Sequence, residues 1–343
     1  MKKLLNTLYI TSPDRYLSLD GENIVVKEDS TECGRIPLHN LESIVTMGYA
    51  GISPALLGKC SEMKISVVFL SRSGRFLASV MGPYTGNVVL RQNQYRISDN
   101  EAACTAIARN MITGKLFNSR WVIERATRDY AASLDVDKLK TVSAQINEAM
   151  HGIQDCSDTQ QLRGFEGEAA TRYFSVFDDL ILQQKAAFHF NGRNKRPPID
   201  RVNAMLSFAY TLLSSMTASA LYAVGLDPYV GFMHKIRPGR SSLALDMMEE
   251  LRSVYADRFV LSLINKRIVH EEDFFIKENR AVFFTDEGKK KFLSQWQQKK
   301  QQIITHPYLA EKVQWGVVPY VQALLLARYL RGDIDGYPPF FWK

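Results

Sequence analysis

The chain predicts an α+β protein, with a small β-rich N-terminal domain followed by a larger all-α catalytic domain. Three features carry this. Short apolar runs alternate with turn residues over the first 80 or so positions, a Gly- and Pro-containing stretch at 82–87 breaks that pattern, and from Glu101 the apolar residues recur at three- and four-residue steps. In order, Tyr16–Leu19 and Asn23–Val26 flank Asp20-Gly21, a two-residue hairpin signal because glycine supplies the positive φ of such turns. Ile65–Leu70 and Arg75–Val80 flank a second turn at Ser71–Gly74, with a short helix over Ala55–Cys60 between the hairpins. The expected organisation is a β-rich dimerisation domain at 1–82, a linker at 83–95 and a helical domain at 96–343. Beyond Glu101–Tyr130, helices are expected near 136–150, 158–178, 201–224, 241–265 and 316–331, the third of these stopped by Gly225 and Pro228.

The composition is that of a folded globular protein: 343 residues, 46% apolar and 23% charged. The four cysteines, Cys33, Cys60, Cys104 and Cys156, form no CxxC pair, which predicts buried free thiols rather than a zinc site or disulfide framework. The start Met1-Lys2-Lys3 leads into no signal-length apolar run, and no stretch approaches about 20 uninterrupted apolar residues, so a cytoplasmic protein without membrane partners is expected. Lys and Arg number 43 against 36 Asp and Glu, a net charge of +7 that suits a polyanion. The basic residues gather at 193–201, 235–240 and 289–300. The last of these reads equally as a solvated helix face. The tail Gly336–Lys343 is too aromatic for a solvated end and is expected to dock on a surface, its own or a partner's.

Three segments could carry chemistry. In the first, Gly164 and Gly167 flank Glu166, and each glycine costs a helix about 1 kcal/mol relative to alanine. That cost makes sense where another backbone or a ligand comes close. The same segment also reads as a solvated glutamate beside a small-residue helix crossing. Glu168, about 200° further round, faces away. In the second, His234 ends an apolar stretch and is followed by Lys235, Arg237 and Arg240 in a Gly/Pro loop. It is either a metal ligand or acid–base group beside phosphate-binding cations, or a solvated histidine. In the third, Ser241 and Ser242 can cap a helix carrying Asp246, Glu249 and Glu250, with Leu243, Met247, Leu251 and Val254 on its buried side. Acids near a helix start are also favoured by the dipole alone. Together, carboxylates and an imidazole suit Mg²⁺ or Mn²⁺, and the surrounding cations suit a nucleic-acid backbone.

Several motifs in one order resemble a known family. LRGFEGEAATRYF (162–174), PPIDRVNAMLSFAYTLL (197–213), VGFMHKIRPGRSSLALDMMEELR (230–252), ADRFVLSLINKR (256–267) and LLARYLRGDIDGYPPFFWK (325–343) resemble the CRISPR-associated spacer-acquisition integrases, the Cas-one family, in the form found with type I-C systems. The resemblance implies a Mg²⁺- or Mn²⁺-dependent DNA endonuclease and integrase. Such enzymes insert short prespacer DNA into a CRISPR repeat by attack of a 3′-hydroxyl on a phosphodiester. They work as homodimers with a Cas-two dimer, and type I-C relatives commonly also with Cas-four. The family's metal ligands and catalytic residues map onto Glu166, His234 and Glu249, with Asp246 at the first acidic position of the D-x-x-[DE] pair and Asn203 near the site. Two positions depart from the pattern: Glu249 stands where many relatives have Asp, and Ser253 where Pro is expected. The competing readings are a non-catalytic DNA-binding scaffold and a repair nuclease for branched DNA. The presence of all the acids and the histidine speaks against the first.

Overall fold

The structure is a computed structural model that describes every residue except 1–5, 13, 48–50, 72–75, 81, 83–87, 195–196 and 343. It divides into two compact units: 1–85 with 284–302 and 314–317, and 86–283 with 303–313 and 318–343.

In the first unit a two-residue turn at Gly21-Glu22, one position later than the expected Asp20-Gly21, joins β2 (Arg15–Asp20) and β3 (Asn23–Glu28) into an antiparallel hairpin, with Gly21 at φ +56°. β4 (Thr31–Pro37) extends it to a three-stranded sheet. A second sheet holds β1 (Thr7–Ile10), β5 (Ser43–Met47), β6 (Ser66–Leu70) and β7 (Phe76–Val80) in the order β1-β5-β6-β7. Its first three strands run parallel, and β7 returns antiparallel to β6 as the second expected hairpin. The turn expected between them, at 71–74, falls mostly outside the described residues. The crossover between β5 and β6 is α1 (Pro54–Glu62), started by Ser53 capping the Leu56 amide with Pro54 behind it. Leu17, Ile24, Ile44, Leu56 and Val67 meet in the core between these elements. Cys33 departs from the expected burial: it is exposed on β4, whereas the other three thiols are buried and free.

The second unit opens, among the described residues, with α2 (Val88–Ser98), which overlaps the segment expected as linker, while 83–87 lie outside the described residues. α3 (Glu101–Asp129), capped by Asn100, is the longest helix and packs against α4 (Val136–Gly152) and α5 (Thr159–Ser175). α6 (Arg201–Val224) is long and apolar enough to cross a membrane by length and composition, yet it is half-buried inside the fold. It ends at Gly225 in the left-handed region, the expected stop. The single helix expected at 241–265 is in fact three segments: α7 (Ser242–Leu251), a π-helical stretch at Arg252–Asp257, and α8 (Arg258–Asn265). Ser253, where the family pattern expects Pro, falls in the π-helical stretch. A short hairpin, β8 (Phe274–Ile276) with β9 (Val282–Phe284), follows. Next come α9 (Asp286–Gln301), the two-stranded β10 (Ile303–Thr305) and β11 (Lys312–Gln314), and α10 (Val318–Arg331), which packs on α6. α9 belongs with the first unit, and its lysines are only in part a solvated face. Lys289 and Lys300 are buried; Lys300 reaches Thr7 and Glu42.

The aromatic tail docks on the chain itself. Tyr337, Phe340 and Trp342 are buried, and Asn118 on α3 donates to the Phe340 carbonyl and accepts from the Trp342 amide. Arg258 lies 4.1 Å over the Trp342 ring. At its centre is Glu250, fully buried, which accepts from the Tyr337 hydroxyl, from Gln322 Nε2 and from the Phe340 amide. Burial pushes Glu250 up to about 7, against the pull of Tyr337 and the Phe340 amide. A carboxyl whose folded pKa is raised contributes stability that is fully present below its unfolded pKa and is lost as pH rises through the folded value. The tail contact is therefore expected to weaken between about pH 4.5 and 7, by up to about 3 kcal/mol. Tm measured from pH 5 to 8 is expected to fall more steeply for the natural chain than for Glu250→Gln. Equal slopes would show that Glu250 does not take up a proton on folding.

Candidate active site

The site is built where α3, α5 and α7 meet. α7 is not the amphipathic helix its sequence suggests. Asp246, Glu249 and Glu250 are as buried as Leu243, Met247 and Leu251, so the reading of solvated, dipole-favoured acids is overturned for this helix. Nor does Ser241 cap it through its side chain; the Ser242 hydroxyl instead donates to the Lys235 carbonyl at 3.2 Å. A buried carboxylate must be compensated, and each of the three is compensated differently.

Glu249 is met by two cations. Lys115 Nζ on α3 lies 2.7 Å from its Oε2, and the Arg252 guanidinium 2.8 Å from its Oε1. Burial alone would raise its pKa, but Arg252 and Lys115 outweigh burial and, with a smaller contribution from His234, hold Glu249 well below the usual carboxylate range. The same Lys115 ammonium is paired with Glu166 on α5. Two carboxylates from separate helices thus share one buried ammonium.

Asp246 answers to four donors. Its Oδ2 accepts the amides of Phe232 and Met233, and its Oδ1 accepts the amide of His234 and, at 2.6 Å, His234 Nδ1. With Nδ1 carrying the proton toward Asp246, the His234 lone pair is on Nε2. Asp246 is therefore the carboxylate that sets the tautomer and orientation of the imidazole. The approach is tight: a Cβ on Gly231 would meet Asp246 Oδ2 at 2.6 Å and the Ser242 backbone at 2.8 Å. From the other side, Arg163 donates twice to the Met233 carbonyl, at 3.0 and 2.7 Å. One turn before Glu166, it ties the histidine loop to α5.

One open feature borders the carboxylates. A cavity of about 790 Å³ is lined by Lys115, Glu166, Gly167, Arg193, Tyr210 and Arg252, among others. Arg193 and Arg252 both stack on Tyr210, at 5.1 and 4.7 Å, and the Tyr210 hydroxyl donates to Asp257 at 2.5 Å. Asn203 is fully buried and holds the 192–194 turn through the Gly192 carbonyl, the Asn194 amide and Arg193. The glycines around Glu166 prove not to serve a close approach within the chain, since a Cβ at Gly164 or Gly167 would meet nothing within 4 Å. Lys235 and Arg237 are exposed beside His234, Lys195 and Arg196 lie outside the described residues, and Glu168 points outward to Arg172.

Glu166 and Glu249 are thus brought together on Lys115, and His234 is held on Asp246, which lies one turn before Glu249 on α7. Among the described residues no three acid, histidine or cysteine side chains converge as a ready metal site. The donor set nonetheless fits a hard divalent cation: two carboxylates already share a cation between them, and an imidazole is pre-oriented by a third carboxylate, Asp246. Sequence reasoning missed Lys115, Arg252 and Arg163. Lys115 had a signal, because it occupies the next four-residue step of the stripe Ala103, Ile107, Met111, where an apolar residue is expected.

Against known proteins, the family model for the CRISPR-associated protein Cas1 matches residues 8–298. A CRISPR-associated endonuclease Cas1 of Chlorobaculum tepidum is 48% identical over 343 residues, covering 100% of both chains. A Cas4/Cas1 fusion of Geobacter sulfurreducens is 35% identical over 97% of this chain and 60% of the fusion. Among solved structures, a casposase bound to its integration product is similar at a TM-score of 0.85, over 98% of this chain and 93% of the other, with 22% identity. A chain of a Cas6-RT-Cas1–Cas2 complex is similar at 0.82, over 98% of this chain and 36% of that one, with 22% identity. At such identities the two structures speak for the fold.

The Gly231 contact yields a direct test. Gly231→Ala forces a methyl group against Asp246 and the start of α7, neither of which can retreat cheaply. It is expected to cost about 2 to 4 kcal/mol in denaturant unfolding. A loss below about 0.5 kcal/mol, the range of neutral surface changes, would show that Asp246 is not locked in place.

Proposed function

This chain belongs to the Cas1 family of CRISPR-associated proteins, and on that premise we propose that it is a metal-dependent DNA endonuclease and integrase of spacer acquisition, of the type I-C kind. The observation that carries the reading is the convergence of Glu166 and Glu249 on one buried cation position, with His234 presented by Asp246 at its side. Glu166, His234 and Glu249 would hold Mg²⁺ or Mn²⁺. Such an ion, when bound, neutralises charge on a phosphodiester and lowers the pKa of an attacking hydroxyl.

The reaction is a transesterification. The 3′-hydroxyl oxygen of the incoming DNA bonds to phosphorus at the repeat boundary, the bond from phosphorus to the 3′-oxygen of the repeat strand breaks, and the proton lost by the nucleophile is balanced by one gained by the leaving oxygen. The chain's residues prepare the place for it. Asp246 and Arg163 fix the histidine loop, and Arg252 keeps Glu249 ionised. The cavity beside Glu166, with Arg193, Arg252 and the open face at Gly167, offers room and positive charge for the DNA backbone. The exposed loop 235–240 extends that charge. The working assembly is a homodimer, with the β-rich unit as its seam because unpaired sheet edges invite pairing. It works with Cas2, and the Cas4/Cas1 fusion among the relatives supports Cas4 as a further partner.

Glu166→Ala, His234→Ala and Glu249→Ala are each expected to abolish Mn²⁺-dependent insertion of a short duplex into a repeat-bearing plasmid, while Glu168→Ala stays near the natural rate. Robust insertion by the Glu166 or His234 variant would mean the active site lies elsewhere. Binding of the same duplex is expected to weaken steeply with salt, with a log–log slope of several units from counterion release. A flat salt response would remove the phosphate-contact reading of 235–240 and the cavity.

A further inference from the structure

Lys115 is buried, and its ammonium touches both carboxylates assigned above to the metal. As a fixed structural ion pair this arrangement would be costly, since desolvating three charged groups in one place offsets much of their attraction. The local charges of Lys115 and Arg252 balance those of Glu166 and Glu249, leaving a neutral cluster beside a cavity that suits an anion. Lysine, unlike the fixed fork of arginine, carries a compact charge on a flexible four-carbon stem. Lys115 itself lines the cavity, so that stem has open space to move into.

We propose that Lys115 is a built-in counter-cation that exchanges with the divalent ion: it holds Glu166 and Glu249 together before the ion arrives, yields the position to it, and swings into the cavity to meet a DNA phosphate. The two cations exclude one another, because an ammonium within 2.7 Å of Glu249 stands where the ion would be and repels it at contact distance. Because Lys115 stays at the site, facing the cavity, loading the ion takes these four side chains and the ion together from neutral to two positive charges. The site thus becomes attractive to a phosphodiester only once the ion is loaded. Lys115 thus acts first on the two carboxylates and then on the DNA phosphate. The inference rests on the metal reading of Glu166, His234 and Glu249, and the test separates the two.

The experiment titrates Mn²⁺ into the full-length protein by calorimetry, without DNA, for the natural chain, Lys115→Met and Lys115→Arg. Methionine keeps most of the length without the charge, and is expected to tighten Mn²⁺ binding about 10- to 100-fold, the scale on which groups bordering metal ligands act. Arginine keeps the charge and the fold but grips both carboxylates, and is expected to weaken binding by a similar factor. With Mn²⁺ saturating, the salt slope of duplex binding by Lys115→Met is expected to be about one unit shallower than that of the natural chain, one phosphate contact having been lost. If the natural chain binds Mn²⁺ but neither variant differs from it, the exchange is wrong and the metal site stands. If the natural chain binds no Mn²⁺, the metal site itself falls, and the exchange with it. An unchanged salt slope would overturn the move to phosphate. Should Lys115→Met not fold, the Lys115→Arg titration alone decides the exchange, an unweakened affinity overturning it.

Discussion

Three carboxylates buried on one short helix set the terms for the catalytic unit. Asp246, Glu249 and Glu250 lie within five residues on α7, all almost without solvent, and a bare buried carboxylate would be prohibitively costly. Each is answered by a different kind of partner: backbone amides and an imidazole for Asp246, a lysine and an arginine for Glu249, a hydroxyl, a side-chain amide and a tail amide for Glu250. Those partners come from the histidine loop, α3, the π-helical turn, α10 and the C-terminal tail. The electrostatic demand of one helix thereby gathers most of the unit around it.

α3 supplies the complementary surface. Gly114 sits where a Cβ would come within 3.1 Å of both Glu250 and Pro339, so it lets α7 and the tail approach closely. The next residue, Lys115, reaches the two shared carboxylates, and one turn later Asn118 binds the Glu250 carbonyl and clamps the tail. A single turn of helix therefore couples the packing of the tail to the geometry of the site. The π-helical turn at 252–257 contributes in the same way. Its wider turn brings Arg252 against both Glu249 and Tyr210, and ends on Asp257, which accepts from Tyr210. Such turns recur at functional sites.

Much of this was legible beforehand. The hairpin around Gly21 and most helices of the second unit followed from local patterning, because turn chemistry and apolar periodicity are local properties. The identities of Glu166, His234 and Glu249 as candidates came from residue type, and their grouping from resemblance. What periodicity misled about was burial. It marked Leu243, Met247 and Leu251 as the inner face of α7 and left the acids outside, because an acid with a buried partner looks, in one dimension, like an acid in water. The helix α2 within the expected linker, the return of α9 to the first unit and the parallel strand β1 were also beyond a local reading.

The sequence by itself determined the α+β succession, the first hairpin, the stop of α6 at Gly225, and a set of metal-compatible residues amid basic loops. Each of these depends on neighbours a few positions apart. Only the tertiary structure decided which acid does what: that Asp246 orients His234, that Glu249 shares Lys115 with Glu166, and that Glu250 anchors the tail. Those roles are assigned by charges and donors brought from distant parts of the chain, and the cost of burying a carboxylate fixes a partner without naming it in the sequence.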